Sequence, residues 1–259
     1  MNLARILVVA SNVFREVIRD RVLYVIAFFA IALIVAAVLL PEVSGGSGDK
    51  IILDVGLATI SLLGLVIAVF IGTGLVNKEI EKRTVYVMIA KPISRAEFIV
   101  GKHWGLSAVL AVLVSAMMAI YLGVLTAKQI AYPLDSILLA ALFQFLELSL
   151  MTAIAILFGV FTNSLLALFL TFAVYLMGHL SRDLLSLASL TKDAGLQSLT
   201  QVLYLILPDL SRLDLKNQAI YGMSILPTPL ELAGHAAYGL IYTTLALAIA
   251  ILIFSRRQF

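Results

Sequence analysis

Few residues in this sequence have the type and spacing that chemistry requires. The chain of 259 residues has no cysteine and only three scattered histidines, which excludes thiolate metal sites and a cysteine nucleophile and offers no nucleophile–base cluster. Glu231 and His235 have the i,i+4 spacing of a metal-ligand pair. However, Thr228, Pro229 and Glu231 form a T-P-x-E capping box, so we interpret Glu231 as structural. We predict that the chain is not an enzyme and holds no cofactor or metal of its own.

The sequence also lacks a phosphate-binding loop. The motif G-x-x-x-x-G-K-[ST] cradles nucleotide phosphates with backbone N–H groups and adds a Lys and a hydroxyl. The nearest run, AEFIVGKH, has Ala96 in place of the first Gly and His103 in place of the Ser or Thr. ATP, if it drives this protein, must therefore be bound by another chain.

Glu147 is the most unusual ionisable residue, because it lies in the middle of the apolar run LLAALFQFLELSLMTAIAILF. A carboxylate at such a depth costs roughly 2.5 kcal/mol or more and normally faces a cavity or a partner. Two interpretations stay open. Glu147 lines a transport path or a subunit interface, or it is neutralised and hydrogen-bonded inside the bundle with Gln144, at i−3, as its neighbour.

The elements that position these residues are membrane helices. The chain is 62% hydrophobic and 13% charged, with a mean hydropathy of +1.09, whereas soluble domains carry roughly 25% charged residues. The sequence therefore predicts an all-α polytopic membrane protein, with one transmembrane domain over residues 1–259. Runs longer than the roughly 18 to 20 residues of a bilayer crossing predict six transmembrane helices near residues 22–40, 51–76, 103–126, 135–160, 165–180 and 231–254.

The distribution of Lys and Arg predicts the orientation of these spans. Twelve of the 18 basic residues fall on one side, in the N-terminal segment, the loop after the second span and the C-terminal tail. Cytoplasmic loops carry this excess, so we predict a multi-pass protein of the inner (cytoplasmic) membrane with both termini in the cytoplasm. The twelve residues are Arg5, Arg15, Arg19, Arg21, Lys78, Lys82, Arg83, Lys91, Arg95, Lys102, Arg256 and Arg257.

Two segments outside the spans have amphipathic patterns. Residues 1–21 predict an interfacial helix lying in the membrane plane, and residues 181–230 predict an extracytoplasmic amphipathic region. Near the start of the third span, Gly101 and Gly105 form a small-xxx-small pair suited to close helix packing. The apolar positions of the two amphipathic segments are Leu3, Ile6, Leu7, Ala10, Val13, Phe14 and Val17 in the first, and Leu196, Leu199, Leu203 and Ile206 in the second.

The predicted cytoplasmic loop, residues 77–102, contains a sharp corner. Pro92 ends the preceding helix, because it lacks an N–H and clashes with the previous turn. Ser94 and Glu97 form an S-x-x-E capping box for the next helix, with Ile93 and Phe98 placed as its hydrophobic staple. The third membrane helix is thus expected to begin near Arg95, before it enters the bilayer.

Residues 78–90, upstream of the corner, predict a short mixed-charge helix. A connection between two spans needs only a few residues, so a short helix locked against a second helix suits a helix-in-groove contact with a soluble partner. A solvated basic loop that serves only the charge rule is the alternative. The helix would place Val85, Met88 and Ile89 on one side, flanked by Glu79, Lys82 and Arg83.

The loop resembles a signature of ABC type-2 permeases, E-x-E-K-R-T…K-P-I-S-R-A-E-F…G-K. Arg83 stands where that family usually has a Gly. Elsewhere, NVFREVIRDRVLY resembles the family's membrane-parallel first helix, and YLMGHLSRDL and LPDLSRLDLKNQAIYG resemble a subgroup associated with multicopper-enzyme maturation. The loop match is carried by Glu79, Glu81, Lys82, Thr84, Lys91, Pro92, Ile93, Ser94, Arg95, Glu97, Phe98, Gly101 and Lys102.

The resemblance implies a transmembrane permease subunit of an ATP-binding-cassette exporter. It implies a dimer with a second permease subunit, the same or homologous, embedded in membrane lipid and without nucleic acid. A cytoplasmic ATPase subunit would bind ATP and Mg and receive the coupling helix. An ion-coupled carrier or channel using Glu147, and a non-transporting membrane anchor for a cytosolic protein, stay as alternatives. The residues implied in coupling are Glu79, Glu81, Lys82, Arg83, Thr84, Val85, Met88, Ile89, Lys91 and Pro92, supported by the corner residues Ile93, Ser94, Glu97 and Phe98.

Overall fold

Helices form every regular element of the described chain. The computed structural model describes residues 2–43, 48–81, 93–190 and 194–256, and no strand occurs among them. A π-helical turn (Ile18–Val22) joins α1 to α2, and a 3-10 turn (Leu210–Arg212) precedes α8. The helices are α1 (Leu3–Val17), α2 (Leu23–Val43), α3 (Gly48–Glu81), α4 (Arg95–Ala127), α5 (Leu134–Phe161), α6 (Ser164–Leu190), α7 (Ala194–Ile206), α8 (Lys216–Ala219) and α9 (Pro229–Arg256).

Within the described residues, four helices are long and apolar enough to cross a membrane: Gly48–Leu75, Arg95–Ala127, Leu134–Phe161 and Pro229–Arg256. They coincide with the second, third, fourth and sixth predicted spans. The first and fifth predicted spans fall on the shorter apolar helices Leu23–Leu39 and Ser164–Leu180. The structure thus shows an all-helical, multi-pass architecture, and the count of six crossings stays a prediction.

Helix α1 occupies the predicted interfacial segment and packs along the start of α4. Its buried stripe consists of Ile6, Val9, Val13 and Val17, whereas Leu3 and Leu7 of the predicted apolar face are 58% and 51% exposed. The contacting face is therefore rotated from the predicted one. The reason is the partner surface, since α1 lies against Gly101 and Gly105 of α4. Its orientation in the membrane plane stays a prediction.

Close packing of α3 on α5 fixes the helix that carries Glu147. A Cβ atom on Gly72 would lie 2.8 Å from the Cβ of Ala155, and one on Gly159 would lie 3.0 Å from the carbonyl oxygen of Thr73. Small residues let helix backbones approach each other in this way. A larger side chain at either glycine would separate α3 from α5.

Residues 208–226, which we name the distal segment, fold into the bundle rather than along its surface. The segment follows α7, a helix of 13 residues within the predicted amphipathic region. Leu210, Leu213 and Ala219 are each 0% exposed. The neighbours of the segment belong to α3, α5, α6 and α9. The predicted extracytoplasmic region therefore contains an inserted part after its amphipathic helix.

Candidate functional site

The predicted corner is present at the start of α4. The Oγ atom of Ser94 accepts a hydrogen bond from the backbone N–H of Glu97 at 3.1 Å, and the backbone N–H of Ser94 donates to Oε2 of Glu97 at 2.9 Å. This is the reciprocal capping box that the sequence predicts. Phe98 is 3% exposed, and Ile93 packs against the core from a partly buried position. The corner therefore begins α4 at a defined residue.

Glu97 also holds the start of α1. The backbone N–H of Asn2 donates to Oε1 of Glu97 at 2.6 Å, and the guanidinium of Arg5 lies 3.9 Å from Oε2. Asn2 in turn caps α1, because its Oδ1 accepts from the N–H of Ala4 at 3.0 Å. Glu97 is only 3% exposed, and its carboxylate accepts from backbone N–H groups at the starts of two helices.

Arg95 connects the same corner to the end of α9. Its Nη1 donates to the carbonyl oxygens of Phe254 and Ser255 at 2.8 and 2.5 Å. These carbonyls belong to the last turn of α9, where no intrahelical donor remains for them. The ring of Phe98 stacks on that of Phe254, with centroids 5.7 Å apart. The starts of α1 and α4 and the end of α9 thus meet at one end of the bundle.

Two glycines bring α1 into backbone contact with α4 beside the corner. A Cβ atom on Gly105 would lie 2.6 Å from the carbonyl oxygen of Ala10, and one on Gly101 would lie 2.7 Å from the Cβ of Val9. The predicted small-xxx-small pair therefore serves the contact of α4 with α1. A displacement of the start of α4 would consequently displace α1 as well.

The residues predicted to couple to a partner are only partly described. Glu79 and Glu81 lie in the last turn of α3, which continues without a break beyond the predicted end of the second span. The structure therefore describes the helix before the coupling segment and the corner after it. The other predicted coupling residues lie outside the described residues: Lys82, Arg83, Thr84, Val85, Met88, Ile89, Lys91 and Pro92.

A chain of ionisable side chains runs through the opposite half of the bundle. Glu147 in α5 is 0% exposed, and its Oε1 lies 3.4 Å from Nε2 of His179 in α6. The same Nε2 lies 3.6 Å from Oδ2 of Asp214, which is in contact with Nζ of Lys216. Acidic and basic groups therefore alternate from the buried Glu147 to Lys216 on the distal segment. We name these four residues the ion chain.

The hydrogen bond of His179 fixes one of its ring hydrogens. Its Nδ1 lies 3.0 Å from the carbonyl oxygen of Tyr175, and a carbonyl can only accept. Nδ1 therefore carries a hydrogen, and Nε2 is the nitrogen that faces the carboxylates of Glu147 and Asp214. Nε2 itself has no hydrogen-bond partner among the described residues, so it lies beside both carboxyl groups without a formed hydrogen bond to either.

Glu147 points to a different neighbour from the one that the sequence suggested. In the described part of the chain, neither oxygen of Glu147 nor the Nε2 of Gln144 has a hydrogen-bond partner. Its Oε1 instead faces the imidazole of His179, 3.4 Å away on the next helix. No group of three acidic or histidine side chains suited to a metal ion occurs among the residues described.

Sequence reasoning did not connect His179, Asp214 and Lys216 with Glu147. His179 lies at the end of the fifth predicted span, and the other two lie in the run LDLKN, far along the chain. The available signal was the alternation of Asp214 and Lys216 with Leu213 and Leu215, since charges between residues that must be buried require partners.

On the same segment, hydrogen bonds from Tyr204 and then Asp209 raise the pKa of Arg212.

The fold and these buried charges define a multi-pass helical membrane protein. The family model described as ABC-2 family transporter protein matches residues 7–259. The chain therefore belongs to the ABC-2 family, and it is a permease component of ABC transporters. No curated protein sequence matches the chain.

Proposed function

We propose that this chain is the transmembrane subunit of an ATP-binding-cassette exporter, driven by ATP that a separate cytoplasmic ATPase subunit hydrolyses. Family membership supports the transport role. The observation that carries the mechanism is the corner, where Glu97 and Arg95 join three helix ends. A connection that served only to link α3 with α4 would not need such a junction.

The corner gives a partner a route into the membrane. Residues 82–92 lie between the end of α3 and the capped start of α4, so a force on them acts on both helices. From the start of α4, Glu97 transmits the displacement to α1, and Arg95 transmits it to α9. Closure of an ATPase pair would in this way move several helices of one permease subunit together.

The remaining features of the proposal follow from this arrangement. ATP and Mg are bound by the ATPase subunit, a second permease subunit of the same or a homologous sequence completes the path, and membrane lipid surrounds both. The corner end of the bundle and both termini face the cytoplasm across the inner membrane, because the basic residues concentrate there. Membership of the subgroup associated with multicopper-enzyme maturation stays a prediction from the sequence.

Purification from the native membrane tests the proposal. The wild-type chain is compared with the triple variant Glu79→Arg/Arg83→Glu/Met88→Asp, and Lys128→Glu at the other end of α4 serves as the control. We expect wild type and control to bring down an ATPase with nucleotide-binding motifs, and the triple variant to lose it while eluting as a folded species.

Two outcomes would count against the proposal. A folded wild-type chain that brings down no ATPase would remove it and favour an ion-coupled carrier or channel centred on Glu147. A chain that binds the ATPase, but whose Arg95 and Glu97 variants leave both ATP hydrolysis and transport unchanged, would instead indicate a non-transporting membrane anchor.

A further inference from the structure

We propose that the distal segment, residues 208–226, is a latch, and that the ion chain of Glu147, His179, Asp214 and Lys216 holds it closed over the distal end of the bundle. The latch joins a segment between two membrane helices to a carboxylate in the centre of α5. Neither the family match nor the coupling mechanism assigns a role to this segment.

Apolar contacts seat the segment against α6 and α9. A Cβ atom on Gly178 of α6 would lie 2.8 Å from Cγ of Leu210, and one on Gly239 of α9 would lie 3.1 Å from Cδ1 of Leu213. Both leucines are 0% exposed. These contacts define where the segment packs. Apolar contacts are non-directional and carry no charge, so a change of charge alone would not release the segment from them.

Polar contacts add the specificity that the apolar seat lacks. The Oγ of Ser136, at the start of α5, donates to the carbonyl oxygen of Ala219 at 2.5 Å. The phenol of Tyr238 in α9 accepts from the backbone N–H of Asp209 at 2.8 Å. Groups of the spanning helices therefore hold the segment near its start, at Asp209, and past its middle, at Ala219, and Asp214 and Lys216 lie between these two positions.

The ion chain is the part of the latch that responds to charge. Asp214 and Lys216 carry their charges into the bundle, where their side chains are 13% and 19% exposed. Buried charges are tolerated when they are paired, and removal of one partner leaves the other uncompensated. The Nε2 of His179 lies 3.4 Å from Glu147 and 3.6 Å from Asp214, so it connects the segment to α5 and α6 together.

Other charged groups border the segment without joining the chain. Arg212 pairs with Asp209 within the segment, with Nε 3.1 Å from Oδ2. From α3, the ammonium of Lys50 lies 5.7 Å from the ring centroid of Tyr221. Neither of these contacts reaches Glu147, which acts on the segment through its contact with His179 and through its electrostatic interaction with Asp214 and Lys216.

A small cavity adjoins the Lys216 end of the chain. Its volume is about 10 Å³, and its lining includes Lys216, Gln144 and Leu57, so it is close to the size of one water molecule. The Nε2 of Gln144 has no hydrogen-bond partner among the described residues. Lys216 therefore borders a space that can hydrate when the latch loosens.

Release of the latch would open the distal end of the path during a transport cycle. This consequence rests on the proposed function. The latch itself does not, because the segment and the ion chain belong to one chain and can be studied without an ATPase.

The absence of cysteine from the sequence allows a direct test. Ala219 is 0% exposed, so Ala219→Cys should react slowly with a water-soluble maleimide when the full chain is purified into lipid nanodiscs. Adding Glu147→Gln or Lys216→Met should accelerate the labelling about tenfold, as expected for local opening of a weakened segment. Lys128→Met, which removes an exposed charge outside the ion chain, should leave the rate unchanged.

A second reporter separates release from unfolding. Ala153 of α5 is also 0% exposed, and Ala153→Cys should stay protected in every variant. Equal labelling of Ala219→Cys in wild type, Glu147→Gln and Lys216→Met would overturn the latch. So would variants that expose residues 153 and 219 at the same rate, because the ion chain would then stabilise the whole bundle rather than this segment. Both results leave the ATPase purification unaffected, so the two proposals fail separately.

Discussion

One carboxylate, that of Glu97, organises the starts of two helices. It accepts from the N–H groups of Ser94 and Asn2 at 2.9 and 2.6 Å. Glu231 offers a natural comparison, because it forms the same kind of capping box with Thr228 at the start of α9 but does so in an exposed position.

Glu97→Ala should therefore destabilise the protein more than Glu231→Ala. Both variants lose a helix cap, and at Glu97 the start of α1 also loses the acceptor for the N–H of Asn2. Denaturant titration of the purified chain in one detergent would give both free energies of unfolding. Equal losses in the two variants would contradict the bridging role of Glu97.

Arg95 should restrain the end of α9. Its guanidinium satisfies the carbonyls of Phe254 and Ser255, so Arg95→Ala should let the last turn fray. We expect trypsin to cleave after Arg256 roughly tenfold faster, since cleavage requires local opening. Mass spectrometry of timed digests measures this rate. Arg5→Ala removes a cation 3.9 Å from Glu97 at the same corner, and an equal acceleration in that variant would refute the specific role of Arg95.

The contact between α1 and α4 depends on Gly105, because any larger residue there would force the two helices to shift. At Gly105 an added Cβ would lie 2.6 Å from a backbone oxygen of α1, whereas at Gly123 of the same helix it would meet nothing within 4 Å. Gly105→Ala should cost about 1–3 kcal/mol through overpacking. Gly123→Ala should gain about 0.5–1 kcal/mol from helix propensity.

Thermal unfolding of the two alanine variants in one detergent would show opposite shifts in Tm. A neutral Gly105→Ala would mean that α1 is not seated on α4. Both variants make the same Gly→Ala change in α4, so a general effect of removing glycine from this helix would shift both Tm values in the same direction.

Local sequence patterns predicted the elements of the corner well, and long-range contacts were beyond them. The capping box of Ser94 and Glu97 spans four residues and is visible as a motif. The bond from Asn2 to Glu97 crosses 95 residues, and that from Arg95 to Ser255 crosses 160. A helical period shows that a face is apolar but not which helix covers it, which is why the buried face of α1 differs from the predicted one.

The distal segment shows the same contrast between local patterns, which the sequence reveals, and long-range contacts, which it does not. Apolar periodicity predicted a helix over the residues of α7, but the turns between 208 and 226 have no period to detect. Their burial depends on gaps that three other helices leave, at Gly178 and Gly239 among other positions. The ion chain could not be predicted for that reason, because it requires Asp214 to lie beside His179.

Across the whole molecule, the bundle has a corner end that is built for coupling and a distal end that the inserted segment covers. The two ends differ in the residues that they bury. One gathers helix ends around Glu97 and Arg95, and the other buries alternating charges behind apolar residues. Rigid packing of α3 on α5 links them, since α3 ends next to the coupling segment and α5 carries Glu147.

This polarity makes the number of crossings testable with single cysteines in an otherwise cysteine-free chain. If α2 and α6 cross the membrane together with the four longer helices, Lys50→Cys and Lys128→Cys should both react with an impermeant maleimide on intact cells. Asn163→Cys, between α5 and α6, should react only after permeabilisation. The reason is geometric, because each crossing reverses the side on which the next connection emerges. Labelling of Arg15→Cys together with Lys50→Cys and Lys128→Cys on intact cells would show that α2 does not cross, because α1 and Lys50 would then lie on the same face. It would also place the N-terminal residues and the corner on opposite faces, against the bond that joins Asn2 to Glu97.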